Sequence, residues 1–363
     1  MLVFYVVFFF LILRFAISLF NFISNPKLPG SPRKYTDLVS VLIPARNEAG
    51  RIGALLQSIT EQSYQNLEIL ILDDQSTDET VNVCDSYARQ DERIQVIRGK
   101  ELPDGWLGKN FACHQLGQLA KGRYFVFIDA DTRIEDGLFD NAVHRARRGK
   151  LVLLSLFATQ IMETIGERIV VPLMHFILLN LLPLRLVRLS RNPSFAAASG
   201  QFMMFDGPMY QIYHWHAQVR DKVLDDMEIA KLIKTYQLPT ETLLANGFIK
   251  CRMYSGYDEA VNGFSKNILP GFNMNVAGLI CYLLLVMIGP LFIAYYLSVS
   301  LFMFAVTLIL LSRIMISLMS GQNVFWNLIL HPIQMVSLTL ISVVSIIRHL
   351  TQKTKWKGRA IKS

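Results

Sequence analysis

Three short acidic stretches set the chemistry open to this chain. In YFVFIDADTRI (124–134), five apolar or aromatic residues run without a break towards Asp129 and Asp131, two carboxylates separated by one alanine. Around a tight turn such a pair can chelate a divalent ion together with a diphosphate. Mg2+ and Mn2+ favour oxygen ligands and are often held by one or two carboxylates plus phosphate oxygens. The ion then neutralises the charge that builds on a leaving phosphate. In ILDDQSTDET (71–80) another apolar run ends in acids, Asp73 and Asp74. A carboxylate there can accept hydrogen bonds from a base N–H, while Ser76, Thr77 and Asp78 sit where they can cap the next helix. In VLDDMEIA (223–230), Asp225 and Asp226 open a helix. Either can cap it. A carboxylate held at a helix start also stays ionised, which suits a general base taking a proton from an acceptor hydroxyl.

A lone D-x-D is commonly a solvated turn, so its weight comes from the elements around it. LVSVLIPA (38–45), LEILILDD (67–74), IQVI (94–97) and YFVFIDAD (124–131) read as short strands. Between them GRIGALLQSITEQ, TDETVNVCDSYARQ and GKNFACHQLGQLAK have helical spacing. Alternating apolar strands and helices predict a parallel sheet covered on both faces, whose ligands bind off the carboxyl ends of the strands. Glu48 follows the first strand, Asp73 and Asp74 end the second, and Asp129 and Asp131 end the fourth. Five carboxylates are thus expected on one rim. FAAASGQFMMFD (195–206) reads as a small-residue turn leading into a further strand, and DDMEIAKLIKTYQ (225–237) as a helix.

The chain has 363 residues, 52% of them hydrophobic, with a mean hydropathy of +0.34. That is too apolar for an ordinary soluble enzyme and implies membrane segments beside a folded domain. Residues 1–23 carry one charge, Arg14. Residues 276–311 carry none, and another apolar run spans about 324–347. A crossing needs roughly 20 apolar residues, so the first run is one helix and the C-terminal stretch two or three. The internal charge of the first run, with no A-x-A-like site after it, reads as an uncleaved anchor. The net charge of +8 does not mark a nucleic-acid binder. Many of the basic residues flank the apolar runs: Lys27, Arg33 and Lys34 after the first, and Lys353, Lys355, Lys357, Arg359 and Lys362 after the last. Positive flanks mark the cytoplasmic side, which puts both the central region and the C-terminus inside. That orientation needs an even number of C-terminal crossings, whereas hydropathy suggests three. Cys84, Cys113, Cys251 and Cys281 form no C-x-x-C pair, which argues against a disulfide framework or a zinc site. Residues 165–190, apolar but broken by Pro172 and Pro183 and carrying Arg168, Arg185 and Arg188, read as one or two amphipathic helices in the membrane interface, with a buried core helix as the alternative.

VSVLIPARNEAGRI, ILDDQSTDET, FVFIDADT and VLDDMEIA stand in an order and spacing that resembles the family 2 glycosyltransferases of the GT-A fold, over about residues 38–270. LPDGWLGKNFAC, SGQFMMFD, EAVNGFSKN and WKGR (356–359) resemble its membrane-bound branch, which includes carotenoid-acid and hopanoid-associated glycosyltransferases. The resemblance implies an α/β GT-A, nucleotide-sugar-binding, Rossmann-like domain with N- and C-terminal transmembrane helices. The expected division is an anchor over 1–23, a linker over 24–37, a cytoplasmic domain over 38–270, transmembrane helices over 271–350 and a basic tail over 351–363. It also implies roles. Pro44, Ala45 and Glu48 line the nucleotide pocket; Asp74, with Asp73, holds the uracil; Lys109 sits near the base and ribose. Asp131 is the principal ligand of Mg2+ or Mn2+, with Asp129 on the sugar or ribose side. Asp226 matches the second acid of the usual E-D pair, the catalytic base. The first acid is Asp225 where the family has Glu, a mild departure.

The Q-x-x-R-W of processive polymerases is absent, and GFSKN (263–267) stands in its place. This favours a single transfer, with Lys266 either a diphosphate contact or a surface lysine. Trp356 and Arg359 resemble an element that some membrane members return to the diphosphate; a plain positive-inside anchor is the other reading. His114, His214 and His216 have no metal-site spacing and read as packing or interface residues. The expected partners are a UDP-sugar donor, a lipid or isoprenoid acceptor and the membrane, with no nucleic acid, and the expected location is the cell membrane with several crossings. A polyprenyl-phosphate or glycerolipid acceptor, or a binding scaffold without turnover, are the competing expectations.

Overall fold

The computed structural model describes residues 2–351, 355–356 and 359–360, with side chains from 3 to 351. The chain divides into two units. One comprises residues 26–161 and 184–252; the other comprises 1–25, 162–183 and 253–363.

The first unit is built on ten strands: β1 (Val39–Ala45), β2 (Leu67–Asp73), β3 (Ile94–Arg98), β4 (Tyr124–Ile128), β5 (Thr132–Ile134), β6 (Leu153–Phe157), β7 (Thr159–Gln160), β8 (Phe202–Asp206), β9 (Thr240–Leu244) and β10 (Ile249–Cys251). Seven form the main sheet in the order β3-β2-β1-β4-β8-β6-β9. β1 pairs in parallel with β2 and β4, and β2 with β3. Every residue of β4 and of β6 is buried, as an apolar strand covered on both faces must be. The alternation read from the sequence is therefore present, with one difference: β8 runs antiparallel between β4 and β6. Its register, Ile128 against Phe202 and Tyr124 against Asp206, puts the start of β8 at the carboxyl rim. At the opposite edge Asp206 pairs with Arg123 at 2.6 Å. A small sheet, β5-β10-β7, brings Cys251 opposite Thr132.

Two expectations change here. The stretch 24–37 is not a free linker. Leu28 donates its N–H to the Leu244 carbonyl at 2.9 Å, Leu244 donates to Pro26 at 2.8 Å, and the Tyr35 N–H donates to Asp140 Oδ1 at 2.7 Å. The buried Leu28 side chain gives these bonds an apolar anchor. The segment 165–190, read as one or two helices, forms three. Helices Ile165–Val170 and Pro172–Leu181 belong to the second unit, and Leu186–Leu189 to the first. Pro183 falls at the division, because a proline and the residue before it leave the helical region.

The second unit is helical. Asn21 of helix Leu2–Ser24 donates to the carbonyls of Leu179 and Leu182 at 3.0 and 2.8 Å, so the 172–181 helix packs on the N-terminal one rather than lying alone in an interface. Among the described residues four helices are long and apolar enough to cross a membrane: Val3–Ser24, Val276–Tyr296, Val299–Ser320 and His331–Leu350. The second contains a π-helical turn, Leu284–Ile288, just before Gly289 and Pro290. Three such helices follow the first unit, an odd number, so the conflict with the basic flanks stands. Lys355–Trp356 and Arg359–Ala360 pair as two short antiparallel strands. The side chains of Trp356 and Arg359, and the rest of the basic tail, lie outside the described residues.

Arg145 on helix Leu138–Gly149 forks onto Glu241 of β9 at 2.6 and 2.5 Å, and the Glu241 side chain is almost fully buried. Removing one partner of a buried pair strands the other charge, at about 3–5 kcal/mol. Arg145→Met in the full chain is expected to lower the melting temperature in detergent, and the double variant Arg145→Met, Glu241→Gln to recover part of the loss. A melting curve unchanged by Arg145→Met would show the pair to be energetically idle.

Candidate active site

The parallel arrangement delivers the carboxyl ends of β1, β2 and β4 to one rim, and the antiparallel β8 returns residues 199–201 to that rim. Gly200 marks the meeting point. A Cβ built on it would lie 3.1 Å from Lys109 Nζ, 3.7 Å from Asp226 Oδ2 and 3.8 Å from Asp129 Oδ2. Lys109, in the first turn of helix Gly108–Leu119, reaches Asp129 Oδ1 at 2.5 Å. Asp226 lies in the first turn of helix Asp225–Thr235. Its Oδ2 accepts from the Gly200 N–H at 2.8 Å and its Oδ1 from the Met227 N–H at 2.7 Å. The helix itself is tied down by Lys234, whose buried ammonium donates to the carbonyls of Val187 and Ser190. Neither aspartate is the N-cap, which is Leu224.

The electrostatics follow from crowding. Burial pushes the Asp226 carboxyl up to about 7, and the adjacent Asp225 pushes the same way. Asp225 is also raised, by burial and then, against the pull of Lys109, by Asp129. Burial alone would lower Lys109; Asp129 and Asp225 outweigh it and hold its pKa well above the usual lysine range. Behind Asp225 sits a histidine excluded from metal chemistry by its spacing. His216 is buried, with Nε2 4.0 Å from Asp225 Oδ2 and Nδ1 2.7 Å from the Tyr210 hydroxyl. Burial, with Lys109 and His114 nearby, takes it down to about 3, so it is a neutral ring. Packing against Phe127 and Phe205 explains its place in the core.

Asp131 lies past the end of β4. Burial raises it to about 7, with Asp129 and Glu48 adding to the shift. The Cys251 thiol lies beside it, and among the described residues its Oδ1 is sealed from solvent without a hydrogen-bond partner. A buried carboxylate oxygen with nothing to bond is costly and fits a divalent cation. Among the described residues no cluster of three or more His, Cys, Asp or Glu forms a protein-only metal cage. That too fits Mg2+ or Mn2+, which usually complete their shells with phosphate and water.

The remaining candidates are spread along the rim. Asp73 accepts from the Ser76 N–H at 3.1 Å and pairs with Arg98 at 3.3 Å. The Asp74 N–H donates to Ala45 at 2.8 Å, and its carbonyl accepts from Arg46 at 2.5 Å. Pro44 and Ala45 form the end of β1 against Leu72 and Asp73. Glu48 donates its N–H to the Thr80 hydroxyl at 2.7 Å. Asp78 accepts from the Thr80 N–H at 3.1 Å, but the N-cap of helix Thr80–Ala88 is Glu79, so none of Ser76, Thr77 and Asp78 is the cap. Lys266 belongs to helix Tyr257–Gly271 of the other unit. Gly200 and the Tyr210–His216 pair were not singled out by the sequence. The clue to Gly200 was the small-residue turn before β8.

Residues 40–207 match the model of glycosyl transferase family 2. A 4,4'-diaponeurosporenoate glycosyltransferase of Staphylococcus haemolyticus is 24% identical over 273 residues, 74% of this chain and 71% of that protein. Its Staphylococcus aureus counterpart is 26% identical over 239 residues, 64% of this chain and 61% of that one. The solved mannosyltransferase of Pyrobaculum calidifontis, in complex with GDP-Man and Mn2+, superposes with a TM-score of 0.53 at 17% identity, covering 97% of this chain and 100% of that one. The fold is therefore of the GT-A type. Over residues 40–207 the chain is similar to the family 2 glycosyltransferases, and its enzyme class is glycosyltransferase.

A methyl group at residue 200 would crowd Lys109, whose ammonium must give by a few tenths of an ångström. Gly200→Ala is expected to leave the melting temperature within a few degrees and to lower kcat several-fold, less than the roughly hundredfold cost of a shift of about 1 Å in a reacting geometry. Steady-state sugar transfer beside a melting curve checks this, and unchanged kcat would remove Gly200 from the site.

Proposed function

We propose that the chain is an inverting, metal-dependent glycosyltransferase that moves one sugar from a nucleotide sugar, with UDP-glucose the expected donor, to a membrane lipid or isoprenoid acceptor such as a carotenoid acid. The observation that carries this reading is the convergence of Lys109, Asp129 and Asp226 on Gly200. In a space of that size one group can orient the donor while another handles the acceptor proton.

Asp226 is the base. Its two oxygens are held by the N–H groups of Gly200 and Met227, so its orientation is fixed before substrate arrives. It takes the proton of an acceptor hydroxyl as the oxygen attacks the anomeric carbon in line, and the nucleoside diphosphate leaves from the opposite face. An acceptor carboxylate is already ionised, and Asp226 would then position it. Lys109 and Asp129 fix the sugar–ribose side of the donor, and Asp73 and Asp74 receive the base. Asp131 would hold Mg2+ or Mn2+, which supplies neutralisation of the departing diphosphate. The names of the staphylococcal relatives support a carotenoid-acid acceptor, and the four long apolar helices support a multi-pass membrane protein that presents such an acceptor. The basic flanks support a cytoplasmic domain.

UDP release in detergent-solubilised membranes, supplied with UDP-glucose, Mn2+ and a lipid extract, tests the reading. Turnover is expected to require lipid and the divalent ion and to fall on the order of a hundredfold or more in Asp226→Asn. Binding of UDP-sugars without turnover on any lipid fraction would replace the transferase with a binding scaffold. The pH profile offers a second check. A base works ionised, so a raised pKa means activity is present above it and lost as pH falls through it. For an acceptor hydroxyl, kcat/KM is expected to decline on the acid side with a midpoint near about 7. A midpoint at 4 to 5, the range of an ordinary carboxylate, would assign the base elsewhere.

A further inference from the structure

The helical unit contains a buried polar cluster that sugar transfer does not use. Arg14 on helix Leu2–Ser24, Arg313 on Val299–Ser320 and His331 at the start of His331–Leu350 gather around Phe176 of the 172–181 helix, and Tyr282 on Val276–Leu283 faces the two arginines. The Arg14 and Arg313 guanidinium carbons stand 5.2 and 4.8 Å from the Phe176 ring centre, which places them within about 10 Å of each other. Arg14 also lies 5.6 Å from the ring of Phe10, which meets the Tyr282 ring at 6.2 Å. Arg313 is wholly buried, and Arg14 and Tyr282 nearly so.

Part of the cluster is satisfied. Arg313 Nη2 donates to Asn327 Oδ1 at 3.2 Å and to Gln334 Oε1. The remainder is not: among the described residues Arg313 Nη1, Arg14 Nε, the Tyr282 hydroxyl and His331 Nδ1 are sealed from solvent without a partner. Among the described residues no negative charge answers the two cations. The titratable groups facing them are Tyr282, His175 and His331. The sequence has no Asp or Glu before Asp37 or after Glu259, and the unit's only acids are Glu163, Glu167, Asp258 and Glu259. Cation–π contacts offset part of the cost of burying a guanidinium, but two guanidiniums with spare donors in apolar surroundings remain unfavourable without an anion. Ionisable residues kept inside apolar helices ordinarily mark a functional site. A narrow cavity, apolar along Phe10, Leu285, Pro290 and Ile293, includes Arg14 in its lining.

We propose that Arg14, Tyr282 and Arg313 form a binding site for a single anionic head group, carboxylate or phosphate, on an amphiphile that enters from the surrounding lipid. Two guanidiniums and one hydroxyl supply the donors, and the neighbouring apolar surface takes the chain. The inference does not rest on the transferase reading. Under that reading an acidic acceptor has the matching chemistry; a resident anionic lipid is the other source.

The test uses the full-length protein, stripped of lipid in detergent, with radiolabelled oleate, dioleoylphosphatidate and uncharged methyl oleate. Oleate or phosphatidate is expected to bind at one per chain, and methyl oleate is not. The better of the two anions identifies the head group. Arg14→Gln and Tyr282→Phe remove donors without breaking a side-chain hydrogen bond within the cluster, whereas Arg313 holds Asn327 and Gln334 and is left intact. Each variant, melting as the wild type does, should bind the anion about tenfold more weakly or worse, as expected for loss of a hydrogen bond to a charge. Equal binding of methyl oleate, binding of none of the three, or wild-type affinity in both variants overturns the proposal. UDP release measured in parallel separates the two readings: stoichiometric anion binding with no turnover keeps this site and removes the acceptor assignment.

Discussion

Lys109 is the ammonium that holds the carboxylate cluster of the glycosyltransferase domain together. It sits 2.5 Å from Asp129, beside Asp225 and Asp226, and within the field felt by Asp131. Burial raises both Asp131 and Asp226, and like charges at such spacing add to the shift. The sheet makes the crowding unavoidable, because three parallel strands end at one rim and the antiparallel β8 begins there. Gly200 is small enough to let the Lys109 ammonium approach, and its N–H holds Asp226. A side chain there would crowd Lys109 alone, since its Cβ would stand at ordinary contact distance from Asp226 and Asp129.

Much of this was legible because it is local. An apolar run followed by acids is a strand end wherever it occurs, so Asp73, Asp74, Asp129 and Asp131 could be placed on a rim by counting alternations. Asp226 followed from its position at a helix start. What was not legible depends on non-local pairing. The direction of β8 is set by where the 184–201 segment re-enters the sheet, and no residue within FMMF encodes it. β6 and β9 went unread for a related reason: LLSLF and TETLL carry no chemistry and no flanking motif to single them out. His216 has no partner in sequence, and only the fold sets it against Asp225. The 24–37 stretch has the composition of a linker, yet Leu28 is buried, and a single buried leucine with two main-chain bonds is invisible to composition.

The apolar helices show where sequence rules compete. Hydropathy and length select three helices after the domain, and charge bias selects an even number of crossings. Both rules are physical, one from the cost of bare backbone in lipid and one from the membrane's charge asymmetry. The helix that differs from the others is Val276–Tyr296, where a π-helical turn meets Gly289 and Pro290. Proline removes a backbone donor and a π-turn shifts the hydrogen-bond ladder, so this helix departs most from a continuous rod. It is also the helix that contributes Tyr282 to the arginine cluster.

The two units share an electrostatic logic. The domain gathers carboxylates with one ammonium and leaves Asp131 Oδ1 without a partner, a deficit of positive charge that a cation carried with a diphosphate would remove. The helices gather guanidiniums with no carboxylate and leave Arg14 Nε and Arg313 Nη1 without partners, a deficit of negative charge that an anionic amphiphile would remove. Buried polar groups in a folded protein are otherwise nearly always satisfied. A chain that leaves opposite deficits in its two units stores stability that only ligands of opposite sign can release, one polar and one lipid-borne. That division suits the proposed transfer from a water-soluble donor to a membrane-held acceptor. Under that proposal each ligand would bind where the protein is short of its charge, so neither would take the other's place.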